Sequence, residues 1–474
     1  MEYSSTRDSV RRQYCSSEVL IKGLADDGGL FVPVDFPAVT FSGRENYIDM
    51  ATAIFRQFLT DFADNDIQTI VNQTYRDFNP SVLHKINDTL IFLELWHGKT
   101  SAFKDVALQL LPRLLTQALK NSHEDAEVVI LVATSGDTGK AALEGFANVP
   151  QTKIAVFYPQ DGVSDTQKQQ MVTQEGDNVA VFAIKGNFDD AQTAVKKILN
   201  DSDYLKSNSN VIFSSANSIN WGRLMPQLVY YFSSYFSVAN GDEKVSFIVP
   251  TGNFGDILAG YYAKKMGLPV DKLICASNKN NVLTDFIQTG VYSVKRDFYK
   301  TISPSMDILV SSNLERLLFD VYDGDANAIS GLMNDLKETG QFKIGQSQLE
   351  KIQETFIADF ATEEETKQAI QTAYEQYHYL IDTHTAVAFA VYEKHPLENK
   401  TVILSTASPY KFPQNVYQAI FKEDTTDYAT ALYEKTGVEI PKNIKELQNK
   451  KVIHTKVIEK GMIKNALNDF LIRR

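Results

Sequence analysis

The middle of the chain is built from short apolar runs, at residues 128–133, 154–158, 179–184, 211–213, 245–250 and 272–276. Each is closed by small or turn-forming residues and followed by a stretch with helical periodicity. A strand apolar on both sides needs cover on both faces, which crossover helices supply, so the pattern predicts an α/β fold with buried parallel sheets. Before it, Ile48, Ala51, Ile54, Phe55 and Phe58 recur at helical spacing, and a polar loop follows at Asn79 and Pro80. This predicts a mostly helical N-terminal lobe. After Asn281 the pattern is mainly helical until residues 401–405 supply one more strand.

The chain has 474 residues, 43% of them hydrophobic, which excludes bulk disorder and fits two to four domains. Lys+Arg 47 against Asp+Glu 59 leaves a net charge of −12, which argues against nucleic-acid binding through the phosphate backbone. Only Cys15 and Cys275 are present, too few for a disulfide framework or a thiolate metal site. No apolar stretch approaches the ~20 residues of a membrane span, and the first residues lack a secretory core. A cytoplasmic enzyme without a membrane partner is expected. The Lys-rich segment 442–464 reads as a solvated helical tail.

Ligands in open parallel sheets bind where strands end, so the turns after strands are the places to search. One turn reads Thr134, Ser135, Gly136, Asp137, Thr138, Gly139 and opens a helix, a seat for a carboxylate or phosphate. It is not a phosphate-binding P-loop, because Thr134 and Ala141 stand where that motif needs glycine and a hydroxyl residue. A second turn, Thr251, Gly252, Asn253, Phe254, Gly255, Asp256, lacks the dinucleotide spacing but suits a single phosphate. An ordinary glycine-containing loop is the bland alternative for each. Lys104 falls between an apolar strand and a helix, where burial would favour the free amine needed for a Schiff base; a solvated lysine is the alternative.

Several ordered runs together resemble the threonine synthase family, pyridoxal-phosphate enzymes of the tryptophan-synthase-β fold type. These are STR at 5–7, GLADDGGLFVP at 23–33, HGKTSAFKD at 97–105, ATSGDTG at 133–139, GNFDDAQ at 186–192, SANSINWGR at 215–223, PTGNFGD at 250–256 and STASPYKFP at 405–413. The resemblance implies a two-lobed fold of type II with pyridoxal 5'-phosphate on Lys104, which also moves protons during catalysis. It implies that Gly252, Asn253, Phe254, Gly255 and Asp256 hold the cofactor phosphate on backbone N–H groups. Thr406, rather than Ser405, would offer its hydroxyl to the pyridine nitrogen. Ser135, Gly136, Asp137 and Thr138 would take the substrate α-carboxylate, and Asn217, Ser218 and Arg223 the substrate phosphate. The implied reaction is conversion of O-phospho-L-homoserine and water into L-threonine and phosphate by γ-elimination and β-addition of water, the last step of threonine biosynthesis.

Two positions depart from the family pattern. Lys99 stands where proline is common, either assisting the substrate phosphate or simply solvated, and Ser408 stands where histidine is common. His97 and His384 read as structural supports of the site, and the other five histidines show no metal spacing. The expected divisions are 1–92 for the N-terminal lobe, 126–221 for the small lobe, and 93–125 with 222–474 for the large, cofactor-binding lobe. The expected assembly is a monomer or homodimer. Rival readings are a phospholyase of the same fold, a serine or threonine dehydratase, which needs no second phosphate site and so has no use for Arg223 in its pocket, and a silent binding protein, disfavoured by Lys104 and the two anion turns.

Overall fold

The structure, a computed structural model, describes residues 1–186, 188–199 and 201–472. Asn187 of the GNFDDAQ run, with the side chains of Phe188 and Asp189, lies outside the described residues. Two sheets organise the chain. The larger has the order Phe356–Phe360, Val270–Ser277, Val245–Pro250, Thr401–Ser405, Leu90–Glu94, Val82–Lys85. All its pairings are parallel except the last. The smaller has the order Val457–Glu459, Val179–Lys185, Thr152–Pro159, Glu127–Ala133, Val211–Ser215, all parallel. The expected α/β class with parallel sheets is what the chain adopts. Its central strands are continuous apolar runs because helices cover both faces: Val245–Pro250, Leu90–Glu94 and Thr401–Ser405 are buried at every position.

One hydrophobic cluster runs from the N-terminal helices through the inner faces of both sheets. A second lies between the large sheet's outer face and the helices Glu363–Tyr377, Thr383–Lys394 and Pro413–Phe421. The third covers the small sheet's outer face. In the N-terminal lobe, helix Tyr47–Phe58 starts at Asn46, whose side chain accepts from Asp49 N in a capping box. It buries Ala51, Ile54, Phe55 and Phe58, as the spacing predicted, together with Met50, while Ile48 is only half-buried. Trp221 packs against Tyr3, Phe58 and Tyr262, joining this lobe to the large one.

Several sequence expectations are corrected. Strands Val82–Lys85 and Leu90–Glu94 belong to the large sheet, so the N-terminal helical lobe ends before residue 92. The 442–464 segment is not a solvated helical tail. Its lysines do face solvent, but Val457–Glu459 pairs with Val179–Lys185, and helix Ile463–Leu471 packs Ile463, Ala466, Leu467 and Phe470 onto the small sheet. This end of the chain therefore sits with the small lobe, not the large one. The region after Asn281 also contains strands Val291–Ser293, Gln341–Lys343 and Phe356–Phe360. No described helix is long and apolar enough to cross a membrane.

Candidate active site

A cavity lies where the carboxyl ends of both sheets converge, and Lys104, Thr134, Asp137, Asn217, Arg223 and the 250–256 turn are among its lining. The loop carrying Lys104 is held from two sides. Strand Leu90–Glu94 has ended ten residues earlier, and the loop is then zipped to the one following Thr401–Ser405. Leu95 N donates to Ser405 O, Phe103 N to Thr406 O, and Ser408 N to Ser101 O. Inside the loop, buried Asp105 accepts from Thr100 N at 2.7 Å and Thr100 Oγ1 at 2.9 Å. Burial pushes the Asp105 carboxyl up to about 6. Gly98 is required there, since a Cβ would stand 2.6 Å from Asp105. The predicted single helix after Lys104 is two, Asp105–Leu108 and Leu111–Asn121, broken where Pro112 cannot donate.

The Lys104 amine makes no hydrogen bond or ion pair among the described residues. Burial lowers its pKa to about 8; Asp137 pulls it upward, while the charges of Arg223 and Lys411 add to the depression. A lysine in this state has roughly a tenth of its amine free at pH 7, far more than an ordinary lysine, and the free amine is the form that attacks a carbonyl.

Two loops face that amine. In the first, Thr134 Oγ1 accepts from Gly136 N and Gly139 N, each at 2.9 Å, and so shapes the turn that begins helix Asp137–Phe146. Gly136 has φ 134°, open to glycine alone, and the N–H groups of Ser135, Asp137 and Thr138 find no acceptor among the described residues. The Asp137 side chain is otherwise engaged: it meets Lys411 Nζ at 2.9 Å and Gln167 Nε2 at 2.9 Å, with Ser305 Oγ at 3.4 Å. Burial alone would raise the Asp137 carboxyl, but Lys411, Lys104 and His384 together hold it well below the usual carboxylate range. Ser135 and Thr138 are thus available to an anion, Asp137 can contribute only its backbone N–H, and Gly136, whose own N–H is taken by Thr134 Oγ1, shapes the turn without offering a donor.

In the second loop, Phe254 adopts a left-handed conformation at φ 62° just before helix Gly255–Lys265. Among the described residues, the N–H groups from Gly252 to Asp256 have no acceptor. The Asp256 carboxylate would repel a phosphate, but it turns away and accepts from Tyr230 OH at 2.7 Å and Tyr231 OH at 2.9 Å. Burial pushes it up to about 6. The Cβ that alanine would add at Gly252 would meet Ser305 O at 3.0 Å, so the loop is closely backed.

Arg223 is buried, and its Nη1 donates to Ala216 O while its Nε has no partner among the described residues. Burial brings its pKa down to about 10. The Asn217 Oδ1 is likewise buried without a partner among the described residues. A buried guanidinium with an unfilled donor is costly unless an anion completes it. Thr406 lines the cavity, and its hydroxyl has no partner among the described residues, whereas Ser405 Oγ faces Trp96 Nε1 at 3.2 Å and Thr385 Oγ1 at 3.3 Å. An aldehyde-bearing phosphate cofactor fits this donor set: a free amine, a loop of unfilled N–H groups, and a lone hydroxyl for a ring nitrogen.

Lys99 is exposed and does not line the cavity, so it joins no phosphate seat. Ser408 is buried, and its Oγ accepts from Tyr410 N to cap the turn Pro409–Lys411. His384 lines the cavity; its Nδ1 meets Asp382 Oδ2 at 2.8 Å and its Nε2 accepts from Ser305 N at 3.1 Å, which fixes the tautomer with the proton on Nδ1. His97 lies farther out, paired with Glu94 at 2.6 Å. The sequence reading missed the Lys411–Asp137 ion pair, Gln167, Ser305, Asn313 and Arg316. The only signal for the last two was a polar Asn-Leu-Glu-Arg run opening an apolar helix.

Comparison with known proteins agrees across the chain. Residues 2–75 match the family model described as threonine synthase N terminus, residues 80–335 that of pyridoxal-phosphate dependent enzymes, and residues 385–462 that of threonine synthase, C-terminal. The chain is 35% identical to threonine synthase of Saccharomyces cerevisiae, covering 99% of this chain and 98% of that one. It is 40% identical to threonine synthase of Pseudomonas aeruginosa, over 88% of this chain and 90% of the relative. Among solved structures, the pyridoxal-phosphate-bound threonine synthase of Brucella melitensis superimposes with a TM-score of 0.88 at 37% identity, over 99% of both chains.

Proposed function

The chain belongs to the threonine synthase family, and from that premise we propose how its own residues carry out the family's reaction. The protein is a pyridoxal-phosphate-dependent lyase of threonine biosynthesis, converting O-phospho-L-homoserine and water into L-threonine and phosphate. The observation that carries the assignment of roles is the unpartnered Lys104 amine, faced by two loops of unfilled N–H groups and by a buried guanidinium with a free donor.

When bound, pyridoxal phosphate supplies an electron sink for charge developing at the substrate Cα. Lys104 would anchor it, and its free amine would move protons at the substrate Cα and Cβ, for which its lowered pKa suits it. The N–H groups of residues 252–256 hold the cofactor phosphate at the helix N-terminus. The Thr406 hydroxyl, which lines the cavity, would be the partner of the pyridine nitrogen, and a hydroxyl, unlike a carboxylate, would not keep that nitrogen protonated. The turn from Ser135 to Thr138 binds the substrate α-carboxylate. Asn217, Ser218 and Arg223 receive the substrate phosphate and stabilise its departure, and Arg223 Nε supplies a charge-assisted donor that no described residue fills.

The test is visible absorbance of the purified protein, followed by phosphate and threonine release from O-phospho-L-homoserine. A lysine-linked cofactor band and both products, all lost in Lys104→Ala, are expected. A band with no phosphate release would reassign the site to a related lyase.

A further inference from the structure

Residues 311–316 touch both anion seats from behind. Ser311 Oγ donates to Gly252 O at 2.7 Å, and Asn313 N donates to Asn253 O at 3.1 Å. Asn313 Nδ2 donates to the same Asn253 O at 3.2 Å and to Ser218 Oγ at 3.0 Å. Its Oδ1 accepts from Arg316 Nη1. With a guanidinium on one side and a carbonyl on the other, the amide orientation is unambiguous. Arg316 itself is fully buried and donates from Nη2 to Ile219 O at 2.6 Å and from Nε to Phe31 O at 2.9 Å. The approach is tight: a Cβ on Gly255 would stand 3.2 Å from Asn313 Nδ2 and 3.3 Å from Ser218 Cβ.

Two chemical consequences follow. A loop binds phosphate through N–H groups only if its carbonyl oxygens point elsewhere, and here the Gly252 and Asn253 carbonyls are drawn backward by Ser311 and Asn313. A serine hydroxyl that accepts from an amide keeps its own proton free to donate, so Asn313 leaves Ser218 with its proton available to the cavity. The Asn313 backbone N–H also holds the Asn253 carbonyl, so the cofactor seat keeps this support without the side chain, whereas the tie to Ser218 is made by the side chain alone. We infer that Asn313 is a positioning residue that fixes the seat for the substrate phosphate relative to the seat for the cofactor phosphate. Asn313 does not itself line the cavity. The inference rests on the family reaction proposed above.

The experiment compares two ligands on holoenzyme: O-phospho-L-homoserine, followed by phosphate release, and L-2-aminobutyrate, which has no phosphate and is followed by exchange of its Cα proton in D2O. Asn313→Ala is expected to lower kcat/KM for the phosphorylated substrate by about tenfold to a hundredfold, since small displacements of reacting groups are costly. Exchange on L-2-aminobutyrate should stay within about twofold, and the effect of Ser218→Ala should not add to that of Asn313→Ala. Asn313→Asp, which keeps an acceptor for Arg316 but loses the donor, should fall at least as far as the alanine variant. It carries the same comparison should Asn313→Ala fail to hold cofactor. Equal losses with both ligands, additivity with Ser218→Ala, or wild-type behaviour of Asn313→Asp would overturn the inference. Absence of phosphate release by the wild-type protein would instead overturn the proposed reaction.

Discussion

Lys411→Met isolates the ion pair that crosses from the large lobe to the small one. The Lys411 side chain is fully buried, and its Nζ meets Asp137 Oδ1 at 2.9 Å, Thr100 O at 3.2 Å and Gln170 Oε1. Methionine fills much the same space and removes only the charge and donors. Asp137, whose side chain is 5% exposed, then keeps Gln167 and a long contact to Ser305 as partners. Removing one member of a buried pair costs about 3–5 kcal/mol, chiefly from the charge left behind. The pH dependence follows from the sign of the shift. In the wild type the depressed Asp137 carboxyl contributes stability above about pH 4 that is lost as the pH falls further. In the variant, burial without Lys411 raises that carboxyl, so the deficit is full at pH 7.5 and shrinks toward pH 4. Equilibrium urea unfolding of wild type, Lys411→Met, Asp137→Asn and the double variant reads this directly. The double variant should recover at least about half of the loss, because no buried charge remains. A Lys411→Met protein within about 0.5 kcal/mol of wild type at pH 7.5, or a double variant no better than the single, would refute the reasoning.

Three further outcomes are expected. Capture of pyridoxal phosphate by cofactor-free protein, followed by absorbance, should speed up about tenfold per pH unit and level off near pH 8, the pKa of Lys104; a rise continuing to pH 10 would contradict it. Arg223→Ala should lower kcat/KM for O-phospho-L-homoserine by about 1.5–3 kcal/mol, roughly tenfold to 150-fold, as expected for one charge-assisted hydrogen bond, and near-normal turnover would remove that residue from the mechanism. Asp256, raised to about 6 from 3.8, makes the folded protein lose about 2.5 kcal/mol as pH rises from 4 to 7. In Asp256→Asn that decline should vanish, so the variant gains on wild type by this amount between pH 4 and pH 7, measured by urea midpoints at each pH.

What the sequence discloses depends on how local the cause is. The strands Glu127–Ala133 and Val245–Pro250 were readable because burial on both faces requires consecutive apolar residues. Phe356–Phe360 was not: as an edge strand it is partly exposed and carries Asp359, which masks the run. Val457–Glu459 is three residues among lysines, and only its partner makes it a strand. The anion turns were legible because glycines and hydroxyls before a helix have a local physical reason. Which groups in them are free was not. The side chain of Asp137 is consumed by Lys411, 274 positions away, and that of Asp256 by two tyrosines. Asn313 acts on Ser218 across 95 residues and Arg316 on Phe31 across 285, distances over which sequence pattern carries no signal.

The pairing of Val179–Lys185 with Val457–Glu459 bears on how the protein is made. The ion pair Lys185–Glu459 at the end of that ladder joins residues 274 apart. At about 5–20 residues per second, a ribosome needs roughly 14–55 s to travel between them. For that time the flank of the small sheet has its N–H and C=O groups without their strand partner, beside buried Val179, Val181 and Ala183. Nascent chains stalled between residues 190 and 450 should therefore engage chaperones and resist compaction of this lobe, and supplying residues 450–472 as a separate peptide should relieve both.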